Sequence, residues 1–214
     1  MKKIDWSKAL VSGTEWFARL AILNLTWLLF SLPILTLVPA TDALFSVLDH
    51  WRKEETEIPI FRTFWEVFRQ NFWRSFKLGL PILLVSIVVL LDIWFFHYYP
   101  KAAAWLQIYK YSIYTFGLLF GLVTLYSYPL SKRSNHSILQ LYLTSAYLMI
   151  GNPLYSLGLL FSAVTIFLIL LKWSGLFFFF SASLLAWLAT LAVDRALKKA
   201  AERRKNSYEE DDSF

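Results

Sequence analysis

Apolar positions run along this chain in long, nearly unbroken stretches, and polar positions gather between them. A helix needs about 20 mostly apolar residues to cross a hydrocarbon core of ~30 Å. Five stretches reach that length: 16–38, 78–98, 104–128, 153–171 and 174–193. Lys172–Trp173 separates the last two by almost nothing, which predicts a tight hairpin, and 99–103 does the same for the second and third.

Two further segments alternate with helical period. In 61–76, Phe61, Phe64, Trp65, Phe68, Phe72 and Phe76 form one face, and Arg62, Glu66, Arg69, Gln70 and Arg74 fill the other. This is the pattern of a helix lying in the membrane interface. In 135–150, Asn135 is the expected N-cap and Ile138, Leu141, Tyr142, Tyr147 and Leu148 are the apolar members. Gly151-Asn152-Pro153 ends that helix and starts the fourth span. An interfacial helix, a short break and a span thus occur twice, which hints at an internal repeat. After the first span, Thr41 is the expected N-cap of a helix reaching Arg52, with Asp42 favourable in its first turn. That helix carries Leu44, Leu48 and Trp51 toward the membrane. The fold class is therefore all-α: a polytopic transmembrane bundle of about five spans plus two cytoplasmic interfacial helices. It forms one domain over 1–199, followed by a polar tail over 200–214 that is predicted to lack order past Lys205.

Composition supports this pattern. The chain is 57% hydrophobic and 17% charged, against about 25% charged in soluble domains; its mean hydropathy is +0.50. A chain of 214 residues is too small to hide so much apolar surface in one water-soluble core. There are no cysteines, which excludes disulfides, cysteine nucleophiles and thiolate metal sites. Lys2 and Lys3 are followed by Asp5, Lys8 and Glu15, so the start does not read as a cleavable signal and is expected to stay on the mature protein.

The net charge of +6 follows from where the charges sit and does not point to nucleic acid. With five spans, three regions share one side: the loop after span one, the loop after span three and the C-terminal tail. They hold fourteen of the 21 lysines and arginines. Lysine and arginine accumulate on the cytoplasmic side, which places the C-terminus inside and the N-terminus outside. Pro33 and Pro39 also allow a re-entrant first stretch, which would place the N-terminus inside. Trp16, Trp94, Trp105 and Trp173, with Tyr98 and Tyr99, fall at span ends on the outer side and would form an interfacial belt.

Asp92 is the sharpest chemical feature, since an ionisable residue inside a span is costly and often functional. It lies six residues before Tyr98, and Lys110 lies six residues after Ala104. In an antiparallel hairpin both sit roughly 9 Å below the outer span ends, which predicts an Asp92–Lys110 ion pair. The pair either neutralises two interfacial charges, with Lys110 snorkelling outward, or serves a proton or substrate relay. Arg19, one turn into span one, either completes an outer cluster with Asp92 or snorkels to headgroups. Asn24 and Thr26 are deeper, where polar groups typically bond between helices. Gly117 and Gly121 form GxxxG, which lets helix backbones approach closely. His50, His97 and His136 show no metal-ligand spacing, and no phosphate-binding loop or nucleophile set is present. Neither a metal, a cofactor, an enzymatic activity nor a nucleic-acid partner is expected, and the lipid bilayer is the expected contact.

Four segments carry a resemblance: Trp16-Phe-Ala-Arg-Leu20, Pro39-Ala-Thr-Asp-Ala-Leu44, Trp51-Arg52-Lys53 and Ile60-Phe-Arg-Thr-Phe64. They resemble the N-terminal half of the YesL family, bacterial membrane proteins of unknown function, although that family usually shows Ala where this chain has Asp42. The resemblance covers the whole length in hydropathy and 16–80 in motif. It implies a multi-pass protein of the bacterial plasma membrane. It also implies an accessory role in sugar uptake or sensing, because genes of the family often lie beside carbohydrate ABC transporters and two-component sensors. It supplies no catalytic residues.

Two functions therefore stand side by side. One is an accessory or scaffold component that packs against carbohydrate ABC transporter or sensor subunits. The other is a small autonomous transporter or channel using Asp92 and Lys110. The coupling-loop signature of ABC permeases, Glu-Ala-Ala followed by a spaced Gly, is missing, so the chain is not expected to be the pore subunit itself.

Overall fold

The computed structural model describes residues 6–53, 58–99, 104–133 and 137–211. Among them all regular structure is helical: α1 (Trp6–Ser31), α2 (Leu37–Arg52), α3 (Ile60–Tyr98), α4 (Ala104–Ser131), α5 (Ile138–Gly151), α6 (Pro153–Lys172) and α7 (Ser174–Asp211), with a short 3-10 turn at Ile34–Thr36. The chain divides into two compact units, Met1–Phe72 with Gly158–Thr190, and Trp73–Leu157 with Leu191–Phe214.

Four described helices are long and apolar enough to cross a membrane: Ile60–Tyr98, Leu106–Ser131, Pro153–Lys172 and Gly175–Arg203. Many of their large apolar side chains point outward, among them Leu90, Leu91 and Trp94 of α3 and Phe161, Phe167 and Leu168 of α6. Outward apolar surface on this scale is stable in lipid, and the chain is an all-helical membrane protein.

The first apolar stretch departs from the predicted single span over 16–38. Helix α1 stops at Ser31, and Leu32–Pro33 breaks the chain, as proline disfavours helix in the residue before it. The Thr36 hydroxyl donates to the Phe30 carbonyl at 2.6 Å and the Pro33 carbonyl at 2.7 Å, closing the turn. Helix α2 then starts at Leu37, earlier than the Thr41 cap predicted, and Pro39 is tolerated in its first turn. It folds back on α1: Trp27 Nε1 donates to Thr41 Oγ1 at 3.1 Å, and Trp16 meets Trp51 edge-on at 5.6 Å. Both contacts pair residues equidistant from the turn, which defines an antiparallel hairpin. Helix α2 is buried almost all round, with Ala40, Ala43, Leu44, Val47 and Leu48 at 0% exposure. Helix α2 is the core of the first unit, and Asp42, Ser46 and Asp49 are buried with its apolar residues.

The separate interfacial helix predicted over 61–76 is the first part of one 39-residue helix. Nothing in Phe76-Lys77-Leu78-Gly79-Leu80 stops a helix, and Pro81 lies inside it. Proline removes one backbone donor from the ladder. In the second unit the Tyr142 hydroxyl donates to the Leu78 carbonyl at 2.7 Å, supplying a side-chain partner beside that gap.

Helix α5 begins at Ile138 with Ser137 as its cap; the predicted cap, Asn135, lies outside the described residues, as does His136. Ser137 and Gln140 satisfy each other's backbone N–H groups in a capping box. Asn152 breaks the chain before α6. Helix α7 runs on to Asp211, so the tail predicted to lose order past Lys205 is helical to that point.

Candidate functional site

Asp92 sits on α3 and is 8% exposed. Its Oδ2 is buried without a hydrogen-bond partner. Phe96, one turn further along the same face, is also buried. Lys110 of α4 extends its ammonium over the Phe96 ring, 5.2 Å from the centroid, and lies 5.8 Å from the Tyr111 ring and 5.9 Å from the Tyr114 ring. No ion pair within 4 Å joins Asp92 to Lys110 among the described residues. Contacts across the hairpin pair Lys110 with Phe96 and Gly117 with Val89, a register that sets Lys110 about one turn from the level of Asp92. The aromatic faces take the cation, a cation–π arrangement favoured where water is scarce, and the carboxylate is left with an unsatisfied oxygen.

Arg19 lies in the first unit, whereas Asp92 lies in the second. A Cβ added at Gly117 would stand 2.9 Å from Val89 Cγ2, so the bare backbone of α4 allows α3 to approach here. One at Gly121 would meet nothing within 4 Å. Of the aromatic face on α3, Phe64 is fully buried, while Phe61 is 56% and Trp65 44% exposed. Phe30 of α1 enters this face with ring centroids 5.8 Å from Phe61, 5.2 Å from Phe64, 5.5 Å from Trp65 and 5.2 Å from Phe68; Phe72 continues the row against Phe68 at 5.6 Å. Part of the face expected to lie on lipid is therefore used to close the first unit.

Two polar constellations were absent from the predicted site. In the first unit Asn24 is fully buried and its carboxamide is aimed at the backbone of α7. Its Nδ2 donates to the Phe178 carbonyl at 2.8 Å, and its Oδ1 accepts the N–H groups of Ala182 at 2.9 Å and Ser183 at 3.0 Å. A single amide inside an apolar run was the available signal; its helical partner was not readable. Around it Trp16 also contacts Trp187 at 5.1 Å and Phe17 contacts Phe180 at 6.1 Å. Later residues of α1 thus meet earlier residues of α7, so the two helices are antiparallel.

In the second unit, Arg133 pairs with Asp194 of α7 at 2.7 Å, and both are largely buried. Lys199 lies 5.8 Å from the Tyr155 ring, and Arg203 donates to the Gly151 carbonyl at 3.0 Å. Arg203 thus satisfies a terminal carbonyl of α5, where positive charge is favourable. Deeper in this unit Tyr126 and Ser156 share a buried hydrogen bond of 3.1 Å.

At the end of α2, Asp49 pairs with Arg52 at 2.8 Å and Lys53 at 2.9 Å. Burial works to raise the Asp49 pKa, but the hydrogen bonds and charges of Lys53 and Arg52 outweigh it and hold the carboxyl below its ordinary value. Two grooves of about 280 and 260 Å³ flank Leu170 between α6 and α7, and every lining residue is apolar, among them Phe167, Phe177, Phe178 and Phe180.

The family model described as protein of unknown function, DUF624, matches residues 20–93. That span runs from mid-α1 to the residue after Asp92 and includes the whole α1–α2 turn. YteU of Bacillus subtilis (strain 168) is 32% identical over 196 residues, covering 88% of this chain and 85% of the relative. The chain belongs to the YesL-like DUF624 family. YesL of the same organism is 28% identical over 194 residues, covering 89% of this chain and 90% of the relative. YesV is 27% identical over 132 residues, 60% of this chain and 62% of the relative. All three relatives are described as uncharacterized proteins. No solved structure matches the chain.

Proposed function

We propose that this YesL-like protein is a non-enzymatic accessory component of the plasma membrane that packs against carbohydrate ABC transporter or sensor subunits. The observation that carries the reading is the outer face of α5. Leu139, Leu143, Tyr147 and Ile150 are 70%, 61%, 72% and 73% exposed and follow one another at helical spacing. Helix α5 has 14 residues, too few to cross a bilayer, yet it carries a continuous apolar stripe. A short apolar helix of this kind suits a flank-to-flank contact with a neighbouring membrane protein. The apolar lining of the two grooves supports a packing role over a polar conduit. The link to carbohydrate systems rests on the family resemblance.

The reading includes a sidedness. In the first unit α1 is antiparallel to α2 and to α7 as far as Thr190, so the start of α1 and the end of α2 share one end. Lys8, Arg52 and Lys53 belong to that end, and six further lysines and arginines follow the last apolar segment over 195–205 in the sequence. The turn after α1 carries no lysine or arginine, and the turn after α6 carries Lys172 alone. By the positive-inside rule both termini are cytoplasmic. Lys8, which a five-span topology would leave outside, then falls on the cytoplasmic side.

A second reading, a small autonomous transporter, is favoured by one observation: the buried, unpartnered oxygen of Asp92 inside a span. Affinity purification of the full chain from native membranes separates the two. The accessory reading expects a transporter or sensor subunit to co-purify stoichiometrically. Recovery of the chain alone, together with transport activity after reconstitution, supports the second reading.

A further inference from the structure

The basic C-terminal part of α7 is a built surface. Helix α7 leaves its apolar segment at Val193 and continues unbroken through Arg195, Lys198, Lys199 and Arg203. Packing continues with it: Val193 and Ala196 are fully buried in the second unit. The Arg133–Asp194 pair, the Lys199–Tyr155 contact and the Arg203–Gly151 hydrogen bond hold this stub against the α4–α5 turn and the α5–α6 junction. Arg195 and Lys198, three residues apart and so on one face, are both exposed. Acidic neighbours do not cancel them: Asp194 is engaged by Arg133, and Glu202 is the one other acid between 194 and 205.

The rise from Arg195 to Arg203 is about 12 Å at about 1.5 Å per residue. That is about one Debye length at physiological ionic strength, roughly 8–10 Å. A fixed array of cations starting two residues after the apolar segment therefore stands within reach of lipid phosphates, and it has lost the entropy a flexible tail would still have to lose on binding.

We propose that this stub is a docking surface for anionic phospholipid headgroups, with Arg195 and Lys198 as its contact residues and Lys199, Arg203 and Arg133 as the groups that hold it in place. The inference does not rest on the accessory reading, because it needs no protein partner. A lysine or arginine near an anionic bilayer surface strengthens association by about fivefold.

The test uses the full chain in nanodiscs of equimolar phosphatidylcholine and phosphatidylglycerol, with the retained lipid quantified after mild detergent extraction. Wild-type protein is expected to retain phosphatidylglycerol several-fold over phosphatidylcholine, with the preference falling as salt is raised. R195Q/K198Q loses most of that preference, and the charge-preserving R195K/K198R keeps it. The salt series on wild-type protein keeps the test decisive should the double variant fail to fold. Three results overturn the proposal: no phosphatidylglycerol preference in wild-type protein, a preference indifferent to salt, or a preference unchanged in R195Q/K198Q. If wild-type protein lacks the lipid preference but R195Q/K198Q loses an acidic protein partner, the surface is a protein contact instead.

Discussion

Asn24 holds the carbonyl of Phe178 at 2.8 Å across 154 positions of sequence. Its other atom takes the N–H groups of Ala182 and Ser183. In an apolar surrounding an unsatisfied backbone group costs several kcal/mol, so one carboxamide that serves three backbone groups fixes both depth and rotation of α1 on α7. Asn24→Ala removes all three contacts at once. Thermal unfolding in detergent is expected to show a loss of about 1–2 kcal/mol. An unchanged midpoint would mean that α7 closes its own ladder and the amide is incidental.

Gly117 and Gly121 share a motif but not a role. Gly117→Ala drives a methyl toward Val89 Cγ2 at 2.9 Å, while Gly121→Ala enters open space. Overpacking costs about 1–3 kcal/mol and the better helix propensity of Ala returns about 1. The propensity gain is common to both variants, so Gly117→Ala is expected to be less stable than Gly121→Ala by roughly 1–3 kcal/mol, with Val89→Ala restoring most of it. Equal stability of the two glycine variants contradicts the close approach of α3 and α4.

Tyr142→Phe keeps the ring stacked on Phe120 at 5.5 Å and deletes only the hydroxyl that reaches Leu78. Its cost is expected at about 0.5–1.5 kcal/mol. Faster amide exchange confined to residues 78–82 of α3 is the local signature. Uniform loosening of the second unit would place the role of Tyr142 elsewhere.

The elements that sequence made legible are those whose signal is local. The spans of α4, α6 and α7 announce themselves by length and hydropathy, and Gly151-Asn152-Pro153 marks the α5–α6 break. The cap of α5 is Ser137, two residues after the expected Asn135, because Ser137 and Gln140 can close a capping box on each other's backbone N–H groups. The first stretch failed for a different reason. Pro33 was visible, but only the fit of Trp27 on Thr41 and Trp16 on Trp51 shows that α2 returns along α1. The segment 61–76 looked separate because its charges end where the apolar run begins, and helix continuity does not depend on hydropathy. Counting from the span ends predicts Asp92 and Lys110 at one depth, while the contacts of Lys110 with Phe96 and of Gly117 with Val89 set the register about one turn away, and packing between the helices fixes it.

Asp49 gives a pH dependence. Its carboxyl is held below the ordinary value by Lys53 and Arg52. Its pairing therefore contributes stability that is fully present above the unfolded pKa of about 4, and this is lost as pH falls through the lower folded value. Wild-type protein and Asp49→Asn should differ in unfolding midpoint by a constant amount from pH 7 to about 4, and the gap should close below that. A gap that persists to the acid limit would assign the effect to shape and not to charge.

Asp92→Asn separates the two functional readings. The accessory role expects normal folding and unchanged partner recovery, because the amide keeps the shape of the side chain. Loss of transport in a reconstituted system, with folding intact, would move the weight to the second reading.

The most direct measurement places a photo-crosslinking residue at Tyr147 on the exposed stripe of α5 and irradiates native membranes. The account predicts a discrete protein adduct, identified by mass spectrometry as a carbohydrate transporter or sensor subunit. A control at buried Leu141 should give none. Lipid adducts alone at Tyr147, repeated at Leu143 and Ile150, would contradict it.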